Sequence, residues 1–154
     1  MPPLVLETPD LLKDYVGREL ALTDWLPLTQ ERIQQFADAT EDHQWIHVDR
    51  ERAQRESPFG TTVAHGFLTL SLLSHFMHQA LQVRSGVRLA VNYGLNKVRF
   101  PAPARMGSKL RARVTLASLK EIRRGTQAVF SVTVEVEGGE KPCCVAEWVV
   151  LYFS

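Results

Sequence analysis

The sequence predicts an α+β protein in which a central apolar helix is wrapped by an antiparallel sheet. The stretch 61–83, TTVAHGFLTLSLLSHFMHQALQV, contains no Asp, Glu, Lys or Arg, and its apolar residues fall on every side of a helical wheel. Beyond Gly86 the pattern changes to period two and becomes rich in β-branched residues. Three turn-rich segments, PAPARMG, RRGT and EGGEKP, divide that half into long strands. A helix apolar all round is either buried in protein or spans a membrane. Three His, two Gln and a Thr/Ser series (Thr61, Thr62, Thr69, Ser71, Ser74) argue for burial, so no membrane partner is expected.

Taken in order, Pro9 to Tyr15 gives a short helical pattern that ends at Gly17. Arg18 to Leu28 alternates in part and reads as a first strand, with Trp25 facing inward and Pro27 closing it. Thr29 is a helix N-cap with Glu31 in the first turn; Ile33, Phe36 and Ala37 follow at helical spacing, and the helix fades at Thr40. Glu41 to Asp49 is too polar for a core strand and too short for a helix of its own, so it is expected as a loop or distorted turn. Asp49 caps the helical run RERAQRE, and SPFGTT turns the chain into the central helix. Val87–Phe100, Lys109–Arg123, Gln127–Gly138 and Cys143–Phe153 read as strands of a meander, curled around that helix.

With 154 residues, 45% apolar and 23% charged, the chain is expected to be a single domain, 1–154, with a substantial core. Its opening residues carry acids and lack a basic segment followed by an apolar one, so no secretory leader is expected and the cytoplasm is the expected location. Cys143 and Cys144 are adjacent and point to opposite faces of a strand, which favours two free thiols. The net charge of +1 is unevenly spread: residues 1–60 hold twelve acids and six bases, whereas residues 84–124 hold eleven bases and only Glu121 as an acid. That asymmetry suits either a polyanionic partner or a solvated sheet face. The basic stretch lacks interleaved aromatics and any nucleic-acid-binding signature, so nucleic acid is not expected.

The densest chemistry lies in EDHQWIHVD. A carboxylate and an imidazole five residues apart, Asp42 and His47, can converge on one water and move its proton, although the pair in isolation suits a structural role as well. Ala64-His65-Gly66 stands near the helix start, where backbone N–H groups are unpaired and a glycine lets a ligand approach closely. Ser74, two turns on, suits a bond back to its own helix. His43 with His47, and His75 with His78, have helical spacing but lack the motif or cluster that a metal site needs, so no metal is expected. Neither a P-loop nor a GxGxxG fingerprint occurs, so no nucleotide cofactor is expected, nor any other cofactor, and the lack of a GxSxG elbow argues against an acyl-enzyme hydrolase.

DHQWIHVD, then PFGTTVAHGF, then NYGLNKVRFPAP together resemble the MaoC-like, (R)-specific enoyl-CoA hydratases (hydratase 2), and especially their nodulation protein N-like branch. The resemblance covers the chain from about Trp25 onward. It implies a hot-dog fold, a homodimer, an acyl-CoA thioester substrate, and reversible addition of water to a trans-2-enoyl-CoA to give a (3R)-3-hydroxyacyl-CoA. It also implies that Asp42 and His47 grip the water, that the Gly66 N–H binds the thioester oxygen, and that Ser74 helps to place the water. Lys97 or Arg99 would then meet the CoA phosphates. The chain departs from the commoner pattern at Gln44-Trp45, where Asn-Pro is usual. Alternative readings are a hot-dog acyl-CoA thioesterase, a non-catalytic acyl-CoA binding protein, or a dehydratase acting on acyl groups carried by a protein.

Overall fold

A computed structural model describes residues 2–154. Its strands are β1 (Leu4–Leu6), β2 (Glu19–Leu22), β3 (Leu26–Pro27), β4 (Leu81–Val83), β5 (Leu89–Arg99), β6 (Lys109–Ile122), β7 (Gly125–Val136) and β8 (Cys144–Phe153). Its helices are α1 (Gln30–Thr40), α2 (Trp45–Val48), α3 (Arg50–Glu56), α4 (Gly66–Ser71) and α5 (Leu73–Ala80), with a 3-10 helix at Pro9–Tyr15.

The main sheet has the order β2-β6-β7-β8-β5, with β3 also paired to β6, and every pairing in it is antiparallel. Its buried face follows from period two. Leu110, Ala112, Val114 and Leu116 of β6 alternate inward, as do Ala128, Phe130, Val132 and Val134 of β7. Cross-strand neighbours complete the layer: Leu116 lies opposite Phe130, and Phe130 opposite Trp148. Against it pack Leu68 of α4 and Leu73, Phe76, Met77 and Ala80 of α5, all in one continuous core. The expected helix under a curved sheet is therefore present.

Several details differ from the sequence reading; one is that the segment 41–49, expected as a loop too short for a helix, carries the single-turn helix α2. The central helix begins at Gly66 instead of Thr61, because the preceding residues are tied down as extended chain: Val63 N–H donates to Ile46 O, Ala64 N–H to Ala104 O, and Met106 N–H to Thr62 O. It is also broken at Leu72, which closes α4 and opens α5, and it ends at Ala80, where the chain turns into β4 to pair in parallel with β1. Apolarity alone does not register such a break, nor that Phe67, although apolar, is 70% exposed. The first strand is split into β2 and β3, because Thr23 Oγ1 takes the Ala112 N–H in place of a ladder carbonyl. Trp25, expected to face inward, is half-buried beneath the Arg111 guanidinium, 4.3 Å from the ring centroid.

The last difference positions the site. Only β6, β7 and β8 form a meander; β5 lies at the far edge, beyond β8. The chain must therefore cross from β5 to β6 along residues 100–108, and this crossover runs past the start of α4, where Ala104 is pinned to Ala64. Two prolines, Pro101 and Pro103, have no N–H to satisfy, which suits a segment without ladder partners.

Candidate active site

Asp42 is delivered by the end of α1. Glu41 adopts a left-handed conformation (φ 60°) that closes the helix, and the Asp42 N–H donates to Ala37 O at 3.1 Å. The next turn, α2, carries His47. Gln30, on the first turn of α1, donates from Nε2 to the His47 carbonyl and accepts from the Thr62 hydroxyl, so that α1, α2 and the extended 62–64 segment are cross-linked. Trp45 turns away from the site and lies under Arg52 of α3, 4.2 Å from its guanidinium carbon. The residue that replaces the usual proline therefore packs on the outside of the turn.

His47 is buried, and its Nδ1 lies 2.7 Å from Val63 O. A carbonyl only accepts, so Nδ1 carries the proton and Nε2 keeps its lone pair. Burial lowers the His47 pKa below the usual 6.5; the bond to Val63 opposes that, neighbouring His65 lowers it further, and Asp42 raises it. Asp42 is half-exposed, and its Oδ1 accepts weakly from Gln44 N–H at 3.4 Å.

Sequence reasoning passed over His65. It is 4% exposed, stacks face to face on His47 (ring centroids 3.8 Å apart, planes at 22°), and places Nε2 3.0 Å from Asp42 O. Its position next to Gly66 in AHG was the available signal, and only the glycine was read from it. Asp42, His47 and His65 each offer one polar atom, and these atoms lie within 4.8 Å of one another. That set has the residue types of a metal site. Imidazole lone pairs, however, lie in the ring planes, and two stacked rings at 22° do not aim them at one point, so the arrangement suits proton transfer better than metal ligation.

A cleft of about 380 Å³ opens beside this cluster, lined by Ile46, His47, Phe59, Gly66, Phe100 and Cys143 and walled by the crossover 101–104. Gly66 stands at the first position of α4, where its N–H has no acceptor within the helix. A Cβ there would sit 3.1 Å from the Phe100 ring, so the glycine is what lets that ring close over the helix start. Burial pushes the Cys143 thiol up to about 12 and the Cys144 thiol up to about 11, which leaves neither as a thiolate nucleophile near neutral pH.

The structure thus places His47 and Gly66 on one cleft and Asp42 beside His47 and His65, although Asp42 does not itself line that cleft. It places Ser74 elsewhere: eight residues along the helix, lining two further cavities between α5 and β5. Lys97 and Arg99 are exposed on β5 just before Phe100, with Lys97 opposite Glu147 of β8. His75 pairs with Gln79 and leans on Phe76, apart from the cleft. Among the described residues no helix is long and apolar enough to cross a membrane.

Residues 12–139 match the MaoC like domain family. The chain belongs to that family. It is 57% identical over 139 residues to 3-hydroxyacyl-thioester dehydratase Z of Mycobacterium tuberculosis, an alignment covering 90% of this chain and 91% of the relative. It is 44% identical over 138 residues to nodulation protein N of Rhizobium leguminosarum, covering 88% and 85%. Among solved structures it resembles the unliganded R-hydratase of Pseudomonas aeruginosa, with a TM-score of 0.72 at 20% identity, covering 90% of this chain and 82% of that one. This last likeness concerns the fold, which this MaoC-like chain shares in its hot-dog arrangement of helix and sheet.

Proposed function

We propose that the chain is a hydro-lyase that interconverts a trans-2-enoyl thioester and a (3R)-3-hydroxyacyl thioester, with CoA as the expected carrier. The observation that carries this reading is the tautomer of His47: Nδ1–H is committed to Val63 O, so Nε2 is left bare, and the imidazole and the Asp42 carboxylate have polar atoms within 4.8 Å of each other. Identity to a dehydratase over most of the chain supports the reaction class.

In the hydration direction, the Gly66 N–H donates a hydrogen bond to the thioester carbonyl oxygen, which draws electron density away from C3 and makes it electrophilic. Water lies between Asp42 and His47. His47 Nε2 takes one of its protons as the oxygen bonds to C3, and the double-bond electrons move toward the thioester. The resulting imidazolium, stabilised by Asp42, returns the proton to C2. Water is consumed and no other group is transferred. Phe100 and the crossover exclude solvent from one side. The role of placing the water that the resemblance implies for Ser74 is not part of this mechanism, because Ser74 lines cavities apart from the cleft; Lys97 and Arg99 meet the carrier phosphates outside the cleft.

A homodimer is part of this proposal. Its support is β5, the sheet edge, which exposes Leu89, Val91, Tyr93 and Leu95, the tyrosine at 68%. Sedimentation equilibrium would return twice the chain mass; a monomer at all concentrations would remove the dimer from the proposal.

Incubation with an enoyl-CoA followed by chiral analysis of the product tests the reaction: a (3R)-3-hydroxyacyl-CoA is expected, and free CoA thiol would instead establish a thioesterase. Two further results are expected. Gly66→Ala forces the new methyl against Phe100 and crowds the N–H, lowering kcat/KM roughly 10-fold with folding intact; an unchanged value would detach that N–H from the reaction. Because the base must be neutral and the His47 pKa is lowered, the acid limb of kcat/KM for hydration falls below pH 6.5. An inflection above that value would assign the limb to another group.

A further inference from the structure

We infer that His65 is a positioning residue for the Asp42–His47 pair, tying the Asp42 backbone in place through Nε2–H while its ring backs the His47 imidazole. The inference rests on the reaction proposed above, and it assigns to His65 a role independent of contact with substrate.

The geometry has three parts. First, His65 Nε2 lies 3.0 Å from Asp42 O, an atom that only accepts, so Nε2 bears the proton. Asp42 follows the left-handed Glu41 at the end of α1 and is followed by a short irregular link to α2. Its other anchors are its own N–H on Ala37 O, the weak contact between Oδ1 and Gln44, and a long 4.0 Å contact of Oδ2 with the same His65 Nε2. The bond from His65 reaches across 23 residues and is the tie that binds this loop to the start of the central helix. Second, the His65 ring stacks on His47 on one side and meets Phe36 of α1 on the other, with centroids 4.9 Å apart. His47, held at Nδ1 by Val63, is thereby fixed in the plane of its ring as well as along its edge. Third, His65 Nδ1 is buried with no hydrogen-bond partner. An apolar ring would fill the same space without leaving a polar atom unpaired, so packing alone does not explain a histidine here. What an apolar ring lacks is the donor to Asp42.

Two substitutions separate the donor from the ring. His65→Gln keeps an N–H near the Nε2 position and removes the ring; His65→Phe keeps the ring and removes the donor. The titratable groups that face His47 are His65 and Asp42, with the Cys143 thiol lining the same cleft. For His65→Phe, the expected result is a fall in kcat on the order of 10- to 10²-fold with KM changed about threefold or less, because the carboxylate loses its fixed distance to the base. For His65→Gln, kcat falls about tenfold or less, and the acid limb of the pH profile moves upward as water reaches His47. If both folded variants keep wild-type kcat and an unmoved limb, the inference is overturned.

A measurement on the wild-type protein stands beside these in case a variant fails to fold. Nitrogen-15 NMR of the histidine side chains is expected to give the Nε2–H tautomer for His65 and the Nδ1–H tautomer for His47. An Nδ1–H tautomer at His65 would overturn the inference whatever the variants do. Failure of the reaction proposal reads differently: the wild type itself would then leave enoyl thioesters unchanged, while the tautomers would still report on the His65–Asp42 bond.

Discussion

His47→Ala lowers the turnover of enoyl-thioester hydration by a factor on the order of 10² or more, and Asp42→Asn does so by a similar factor. The two effects have different origins. His47→Ala removes the ring nitrogen proposed as the base and leaves Val63 O without its donor. The stability cost of that lost bond is about 1–2 kcal/mol, well short of unfolding a domain. Asp42→Asn keeps the shape of the side chain and the backbone bond from His65, which ends on a carbonyl and is untouched. It removes the charge that holds the water and steadies the imidazolium, and with it the long 4.0 Å carboxylate contact to His65 Nε2. Because both residues act on one water, the double variant is expected to be scarcely worse than either single one. Steady-state kinetics of the three variants, each checked for cooperative unfolding, tests this. Multiplicative effects in the double variant would show that the two residues act at separate steps.

Phe76→Ala costs roughly 3–5 kcal/mol of stability. Phe76 is fully buried on α5, one turn past the break at Leu72, within the core that joins the helix to the sheet. Deleting its ring removes apolar contact on several sides and leaves a cavity that neighbours held by β6 and β7 cannot collapse to fill. Phe76→Leu keeps most of the volume and is expected to cost under about 1.5 kcal/mol. Denaturant titration should show a large fall in midpoint for the alanine variant and a small one for the leucine, with the slope unchanged. Equal effects would mean that the helix is held by something other than the packing of this ring.

The strands were legible because their signal is local. Alternation in VFSVTVEV and in the 109–116 segment is the same alternation that lines the core, and all four long strands lie within a few residues of their expected bounds. Thr29 and Asp49 were legible as caps for a similar reason: each bonds an N–H three residues on. What the chain did not announce are features set by distant partners. The extended run before Gly66 depends on Ile46 and Ala104, the split of the first strand depends on Ala112, and the place of β5 depends on a crossover whose destination no local pattern encodes. In the candidate site, Asp42, His47 and Gly66 were proposed from spacing and resemblance, and the structure puts His47 and Gly66 on one cleft with Asp42 beside His47. His65 was not proposed, because a buried histidine beside a glycine looks the same whether it fills space or holds a loop, and only its bond to Asp42 O separates the two.

The measurement that tests the account most directly is the absorbance of the enoyl-thioester band of crotonyl-CoA, and of a longer trans-2-enoyl-CoA, on addition of the wild-type protein, with free thiol followed in parallel. The account predicts a decline of the band to an equilibrium level without thiol release, reached from the 3-hydroxyacyl side as well. A band that stays constant with both substrates, or that falls only as thiol appears, would contradict it.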